Sequence, residues 1–282
     1  MPKYSGFCPG VSQAERRLFE RREQGGLSVL GPLIHNTRYV EYLSERGIET
    51  AGRIEDIPGG QAAAIRTHGL PRRTEEALRR RGEVLDLTCY KVRQVQRLIG
   101  ERAGRGFFVV ITGKRSHPEV QGLVSYAGAS GCEVVERAED LNALAASLRG
   151  RKTAAKVLVV SQTTGRRELF EQTAAVLAGK LDGEVESVNT ICDITSLREQ
   201  AALELQKQVD VSFVVGDRMS SNAGRLYRTL LGGDENTHFV QNVRELRDLG
   251  LPLASYTAAQ VVSSSSTPEF VEQEIVRYLE SV

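Results

Sequence analysis

Short runs of apolar, mostly β-branched residues alternate with amphipathic segments along this 282-residue chain. Most of these runs lack a polar alternation, which is typical of parallel strands buried on both faces. The alternation of strands with helices therefore predicts an α/β fold. The predicted strands are Leu27–Leu33, Ala62–Arg66, Val84–Leu87, Phe107–Thr112, Cys132–Val135, Lys156–Val160, Val185–Val188, Val211–Val215, His238–Gln241 and Leu253–Tyr256. The predicted helices include Ala14–Gln24, Thr74–Arg81, Lys91–Arg105, Arg167–Leu181, Ser196–Gln208 and Glu269–Glu280.

The composition narrows the class of protein. A chain of this length suits one large α/β unit or two to three lobes. The formal net charge of +1 gives no basic field for nucleic acid, and no apolar stretch approaches a membrane span. Met1–Gly10 lack a signal-peptide pattern, so we expect a cytoplasmic protein. In that compartment the four cysteines indicate metal binding, catalysis or burial rather than disulfides.

Three of the cysteines lie at predicted strand-to-helix turns. These are Cys8 before the first helix, Cys89 after the strand Val84–Leu87, and Cys192 after Val185–Val188. A helix N-terminus stabilises a thiolate and suits an anionic metal cluster. Their long separations lack the Cys-x-x-Cys spacing of ferredoxins, so spacing alone leaves metal binding open. Cys132 lies inside a strand and is predicted to be a buried small hydrophobe.

Polar loops follow several of the strands, at the edge where open α/β sheets bind ligands. They contain three of the four histidines, namely His35, His68 and His117, whose imidazoles suit an anion or a metal. His238 lacks such a setting and is predicted to be structural.

Hydroxyl groups near helix starts allow two interpretations. The pairs Ser12/Glu15, Ser116/Glu119, Ser196/Glu199 and Ser266/Glu269 match the capping-box pattern, in which each residue only caps a helix. Helix N-termini with hydroxyls and free amides also bind anions, and Ser220-Ser221-Asn222 is another such start. From the residues alone, these hydroxyl groups could be helix caps or part of a phosphate-binding site. P-loop and dinucleotide-binding glycine motifs do not occur.

In their order along the chain, these short motifs resemble the 4-hydroxy-3-methylbut-2-enyl diphosphate reductase (LytB) family. The matching turns are Gly6-Phe7-Cys8-Pro9-Gly10-Val11, His35-Asn36, Thr67-His68-Gly69, Thr88-Cys89-Tyr90, His117-Pro118-Glu119, Gln162-Thr163-Thr164, Ile191-Cys192-Asp193-Ile194-Thr195, Ser220-Ser221-Asn222 and Ser266-Thr267-Pro268. Each motif is short, but together they span nearly the whole chain in the family's order.

The resemblance implies three α/β lobes with mostly parallel sheets around a central iron–sulfur cavity, at residues 1–88, 89–190 and 191–282. Cys8, Cys89 and Cys192 would hold a [4Fe–4S] cluster with one open iron. The implied reaction removes the allylic hydroxyl of 4-hydroxy-3-methylbut-2-enyl diphosphate by two-electron reduction, giving isopentenyl and dimethylallyl diphosphate. A ferredoxin- or flavodoxin-type protein would supply the electrons.

The resemblance also implies roles for side chains. Glu119 would relay a proton and Thr163 would position the substrate hydroxyl, with His117 beside them. The diphosphate-binding set would comprise His35, His68, His117, Ser220, Ser221, Asn222 and Ser266.

Three positions depart from the family pattern. Tyr90 follows the second cysteine in place of proline, Asp193 follows the third, and Lys114 replaces a histidine. These departures keep alternatives open: a paralogue acting on another substrate through the same cluster, a non-catalytic iron–sulfur sensor or electron carrier, and a metal-free phosphate-binding protein.

Overall fold

The computed structural model describes residues 1–151 and 155–282. The strands are β1 (Leu27–Leu30), β2 (Ile48–Ala51), β3 (Ala62–Ile65), β4 (Val84–Asp86), β5 (Phe108–Thr112), β6 (Cys132–Val135), β7 (Lys156–Ser161), β8 (Glu184–Ser187), β9 (Val211–Val215), β10 (Thr237–Val240) and β11 (Ala259–Ser263). The helices are α1 (Pro9–Arg22), α2 (Thr37–Ser44), α3 (Arg72–Arg81), α4 (Tyr90–Gly104), α5 (Pro118–Tyr126), α6 (Leu141–Leu148), α7 (Arg167–Lys180), α8 (Asp193–Gln206), α9 (Ser221–Leu231), α10 (Val243–Asp248) and α11 (Glu269–Leu279).

The chain forms two compact units. We call residues 60–192 the middle unit, and residues 1–59 with 193–282 the terminal unit. The paired strands within each unit run parallel, so the predicted α/β class is confirmed. The division into three lobes at residues 1–88, 89–190 and 191–282 stays a prediction.

In the middle unit, one sheet has the strand order β6-β5-β7-β8 and is covered on both faces. Phe108 and Val110 of β5 pack in a cluster with residues of α6 and α7. The alternate residues Val109 and Ile111 pack in another cluster, with residues of α4 and α5. This burial on both faces is the reason that the strand has no polar alternation. Strands β3 and β4 pair in the same unit.

In the terminal unit, β9 lies between β10 and β11. Phe213 packs with residues of α10 and α11, while its neighbour Val214 packs with residues of α8 and α9. Strands β1 and β2 also pair within this unit. As in β5, successive apolar residues of β9 face opposite sides of its sheet, and helices cover both sides.

Several predicted elements were wrong. Leu253–Tyr256 is not a strand, because Leu253–Ser255 form a 3-10 turn and the strand is Ala259–Ser263. The first strand ends at Leu30 rather than Leu33, since Gly31 turns the chain with a φ of 74°. The first helix begins at Pro9, not Ala14, because proline suits a first helical position. The strand Ile48–Ala51 was not predicted.

Candidate functional site

Glu119 is a buried carboxyl near the start of α5 in the middle unit. The helix follows β5 through a polar loop, with His117 as its N-cap and Pro118 in its first turn. The Nδ1 atom of His117 accepts a hydrogen bond from the Glu119 backbone amide at 3.2 Å. Nδ1 is therefore unprotonated in this arrangement, and the proton of a neutral ring lies on Nε2.

The Glu119 side chain does not reach back to cap α5. Its Oε1 accepts from the Thr163 backbone amide at 2.6 Å, and its Oε2 lies 2.7 Å from Thr163 Oγ1, which donates to it. The capping-box interpretation of Ser116 with Glu119 is therefore wrong. Thr163 lies just after β7, so two neighbouring strands present the pair at their carboxyl ends.

Two opposing effects act on the Glu119 carboxyl. Only 1% of the residue is exposed, and burial penalises the charged form, whereas both hydrogen bonds from Thr163 favour it. Burial has the larger effect and raises the pKa of Glu119 to about 7. Glu119 can therefore both hold and release a proton near neutral pH.

A line of contacts joins Glu119 to two cysteines within the middle unit. The Cys192 backbone amide donates to the Thr163 carbonyl at 2.8 Å, and the Cys89 amide donates to the Thr67 carbonyl at 2.9 Å. Next to Thr67, the His68 ring meets the His117 ring edge-on, with centroids 5.2 Å apart. The middle unit therefore brings together Cys89, His68, His117, Glu119, Thr163 and Cys192.

The turn after His68 requires glycine. Gly69 has a φ of 72°, and a Cβ there would lie 2.6 Å from the Gln96 Nε2 atom. Gln96 itself is fully buried in α4, the helix that begins after Cys89. A side chain at position 69 would clash with Gln96 and strain the turn that carries His68.

The terminal unit brings together Ser220 and Ser266, whose Oγ atoms lie 2.7 Å apart. Ser220 also accepts from the Ala223 amide at 3.2 Å and so caps α9, whose first two residues are Ser221 and Asn222. Ser266 does not cap α11, because the N-cap residue there is Pro268. The capping-box interpretation of Ser266 with Glu269 is therefore wrong.

Asp217 joins the start of α2, two residues after His35, to the loop that precedes Ser220, and sequence reasoning did not single it out. Its Oδ2 accepts from the Thr37 amide and hydroxyl at 2.8 and 2.9 Å, and its Oδ1 accepts from the Met219 amide at 2.8 Å. Thr37 begins α2, which Asn36 caps. The only local signal was the position of Asp217 in the polar loop after β9.

Two further capping boxes were also wrong. Glu15 accepts from the Tyr39 hydroxyl at 2.8 Å instead of reaching Ser12. Ser196 lies inside α8, and Glu199 forms a bidentate ion pair with Arg225. His238 pairs with Asn236 and lies against the Phe213 ring, consistent with the structural role predicted for it.

The donor set fits an iron–sulfur cluster in its chemistry. Cys8 and Cys89 are the N-cap residues of α1 and α4, and Cys192 directly precedes α8. None of the described cysteines forms a disulfide, and helix N-termini stabilise thiolates. Burial raises the pKa of Cys132, which lies within β6, to about 12 and so keeps it a protonated thiol.

A buried, protonatable carboxyl lies with Cys89 and Cys192 beyond the carboxyl ends of parallel strands, where α/β enzymes form their active sites. The chain belongs to the LytB family, since the profile described as LytB protein matches residues 1–280. Enzymes of this family are iron–sulfur proteins. Within the described residues, no helix has the length and apolarity needed to cross a membrane.

Similar proteins agree with the family assignment. The chain is 32% identical to the 4-hydroxy-3-methylbut-2-enyl diphosphate reductase of Aquifex aeolicus, over 99% of this chain and 95% of that protein. It is 34% identical to the reductase of the same name from Nitratidesulfovibrio vulgaris strain Miyazaki F, over 99% and 97%. These matches confirm the prediction that the chain is an enzyme of this family.

Two solved structures match nearly the whole chain. A structure described as (E)-4-hydroxy-3-methyl-but-2-enyl diphosphate reductase matches with a TM-score of 0.75 and 31% identity, over 100% of this chain and 98% of that one. The reductase from Plasmodium falciparum matches with a TM-score of 0.84 over 97% and 85% of the two chains. At 24% identity, the second match supports the fold only.

Proposed function

We propose that this chain removes the allylic hydroxyl of 4-hydroxy-3-methylbut-2-enyl diphosphate. Two electrons and two protons convert the alcohol into water and the C5 diphosphates isopentenyl and dimethylallyl diphosphate. The observation that carries the proposal is the buried Glu119–Thr163 pair, whose backbone is hydrogen-bonded to Cys192. Loss of a hydroxyl requires an acid at the departing oxygen.

The cofactor of the proposal is a [4Fe–4S] cluster held by Cys8, Cys89 and Cys192. Three protein thiolates leave one iron open, so the bound cluster supplies electrons and a Lewis acid for the substrate oxygen. What supports the set is the position of each cysteine at a helix start. Cys132 is left out of this set because it lies within β6, packed against the apolar cluster of that sheet, and not at a helix start.

Glu119 is the proton donor in this proposal. Its carboxyl holds a proton near pH 7 and shares it with the Thr163 hydroxyl, since Oε2 and Oγ1 lie 2.7 Å apart. Thr163 can then present a donor or an acceptor to the substrate hydroxyl. His117 holds the first turn of α5 through its Nδ1 atom and so fixes the position of Glu119.

The pKa of Glu119 sets an expected pH dependence. The acid form is required for turnover, so kcat should fall as the pH rises through about 7. A second variant, Thr163→Val, removes a hydrogen bond to the charged carboxylate and should move the midpoint to higher pH. A kcat that stays constant or rises from about pH 6 to pH 9 would contradict the role of Glu119 as acid.

The diphosphate requires compensation for two to three negative charges. We assign this role to His35, His68, Ser220, Ser221, Asn222 and Ser266, with His117 nearby. Support in the terminal unit comes from the Ser220–Ser266 hydroxyl pair and the start of α9. Support in the middle unit comes from the position of His68 against His117. Imidazoles can gain a proton as an anion binds, and helix starts offer backbone amides.

Ser266→Ala is expected to raise KM about tenfold with a smaller effect on kcat, because it removes a hydroxyl that bonds a charged ligand. Steady-state kinetics with the diphosphate substrate measures both constants. Ser255→Ala is the matched control, since Ser255 is exposed and its hydroxyl bonds the Pro252 carbonyl of its own turn. An unchanged KM for Ser266→Ala would remove Ser266 from the binding set.

The surroundings of the cysteines favour one alternative. Tyr90, directly after Cys89, is 56% exposed at the first position of α4. Asp193 is exposed directly after Cys192, and Lys114 is exposed in the turn that precedes His117. A polar residue beside a ligand alters cluster potential and access, so a related substrate handled through the same cluster is the second candidate. The electron donor, in either case, would be a protein of the ferredoxin or flavodoxin type.

One experiment separates the candidates. The anaerobically reconstituted protein, reduced chemically, is given the hydroxylated C5 diphosphate or the corresponding phosphate-free alcohol. The proposal predicts release of both C5 diphosphates from the first and no reaction with the second. An intact cluster that fails to reduce the diphosphate would favour the alternative substrate.

A further inference from the structure

Arg198 is a buried arginine of α8 that the proposed chemistry does not use. Only 2% of the residue is exposed. Its Nε donates to the Tyr4 carbonyl at 2.5 Å, one terminal nitrogen donates to the Gly6 carbonyl at 2.6 Å, and the other donates to Ser265 Oγ at 2.5 Å. One guanidinium therefore joins α8, the turn before Cys8 and the residue before Ser266.

The turn from Tyr4 to Gly6 depends on such contacts. Tyr4 has a φ of 70°, which costs energy for a residue with a side chain, and Gly6 has a φ of 77°. The Tyr4 and Gly6 carbonyls both accept hydrogen bonds from Arg198. The strained turn ends two residues before Cys8, so it restricts the backbone from which that thiol extends.

A second network holds the turn through Ser263. The Gly6 amide donates to Ser263 Oγ at 2.8 Å, and Ser263 Oγ donates to the buried Glu272 carboxylate at 2.8 Å. Ser5 also bonds Glu272, and its Oγ accepts from the Ser263 amide at 2.9 Å. Ser263 and Glu272 therefore bond the Gly6 amide and the Ser5 side chain of the turn, while Arg198 bonds the Tyr4 and Gly6 carbonyls.

We propose that Arg198 is a positioning residue that fixes Cys8 for binding iron. The planar guanidinium reaches two carbonyls and a hydroxyl from one rigid group, whereas a lysine ammonium on a flexible stem cannot reproduce that fork. Arg198 lies in α8, the helix that begins directly after Cys192, and it joins that helix to the turn before Cys8. An effect of Arg198 on iron binding rests on the proposed function, whereas its effect on the position of Cys8 does not.

The test uses Arg198→Lys, which keeps the charge but loses the fork. In the apoprotein, the alkylation rate of each cysteine is followed by mass spectrometry of the peptides. We expect Cys8 to react about tenfold faster than in the wild type, as loss of a hydrogen bond to a charged group predicts. Cys89 and Cys132, in the middle unit, should keep their rates.

Arg225→Lys is the matched control, because Arg225 is also a largely buried, bidentate arginine of the terminal unit and contacts α8 at Glu199. It should leave the Cys8 rate unchanged. An unchanged Cys8 rate in Arg198→Lys, or equal acceleration of all four cysteines, would overturn the proposal, since the latter indicates only a general loss of stability.

A second readout uses the reconstituted proteins. Arg198→Lys should release iron to a chelator about tenfold faster than the wild type, with a changed electron paramagnetic resonance signal. Retention at the wild-type rate would contradict the role toward the cluster. A wild-type chain that binds no iron would defeat the proposed function, while the alkylation result would still decide whether Arg198 orders Cys8.

Discussion

Glu119→Gln is expected to lower kcat by about 10²- to 10⁴-fold, the range that loss of a general acid produces. Glutamine has nearly the same shape and can still accept from the Thr163 amide, which bonds Glu119 at 2.6 Å. It cannot release a proton at neutral pH. KM and the iron content of the reconstituted protein should therefore remain close to the wild type.

The control is Glu186→Gln, because Glu186 is a partly exposed carboxylate of the same unit that pairs with Arg102. This variant should keep full turnover. Wild-type kcat in Glu119→Gln would remove Glu119 from the proton path. A loss of iron together with activity would instead assign Glu119 a structural role.

Glu119→Gln should also raise the free energy of unfolding at alkaline pH. The pKa of Glu119 is raised to about 7 in the folded chain from 4.5, so ionisation disfavours folding as the pH rises from 4.5 to 7. The penalty is complete above about pH 7 and on the order of 3 kcal/mol. Thermal unfolding should therefore show Glu119→Gln to be more stable than the wild type at pH 8 and to lose that advantage near pH 5.

Replacing any one of Cys8, Cys89 or Cys192 by serine is expected to reduce the iron retained after anaerobic reconstitution at least tenfold and to abolish measurable turnover. A serine hydroxyl is a much poorer ligand than a thiolate for cluster iron. Iron and sulfide analysis, with the visible absorption of the cluster, measures the effect.

Cys132→Ala provides the control within the same chain. Cys132 lies in β6, packs against the apolar cluster of that sheet, and stays protonated because burial raises its pKa to about 12. Its replacement should leave the iron content unchanged. If Cys132→Ala lost iron, or if one of the three serine variants kept all of it, the ligand set would be wrong.

The sequence predicted the strands best where both faces are buried. In β5 and β9 every residue is apolar or small and interior, so the pattern was unambiguous. It failed for β11, whose buried Gln260 bonds Ser212 across the sheet, since that compensation cannot be seen locally. The apolar residues of Leu253–Tyr256 attracted the prediction instead.

The candidate site, like the fold, could be predicted from the sequence only in part. Order and type of motif singled out Glu119, Thr163 and the cysteines as candidates, but local sequence could not show that Glu119 bonds Thr163 and does not cap its helix. The partner of Glu119 is 44 positions away, and Arg198 contacts Gly6 across 192 positions. Contacts at such separations leave no local periodicity, so their assignment required the folded chain.

The central claim is that this chain holds an iron–sulfur cluster with one iron open to substrate. Mössbauer spectroscopy of the anaerobically reconstituted, ⁵⁷Fe-labelled protein tests it most directly, with and without the hydroxylated C5 diphosphate. The account predicts about four iron and four sulfide per chain, with one iron whose signal changes when the diphosphate is added. A colourless, iron-free protein, or a cluster in which no iron responds to the diphosphate, would contradict it.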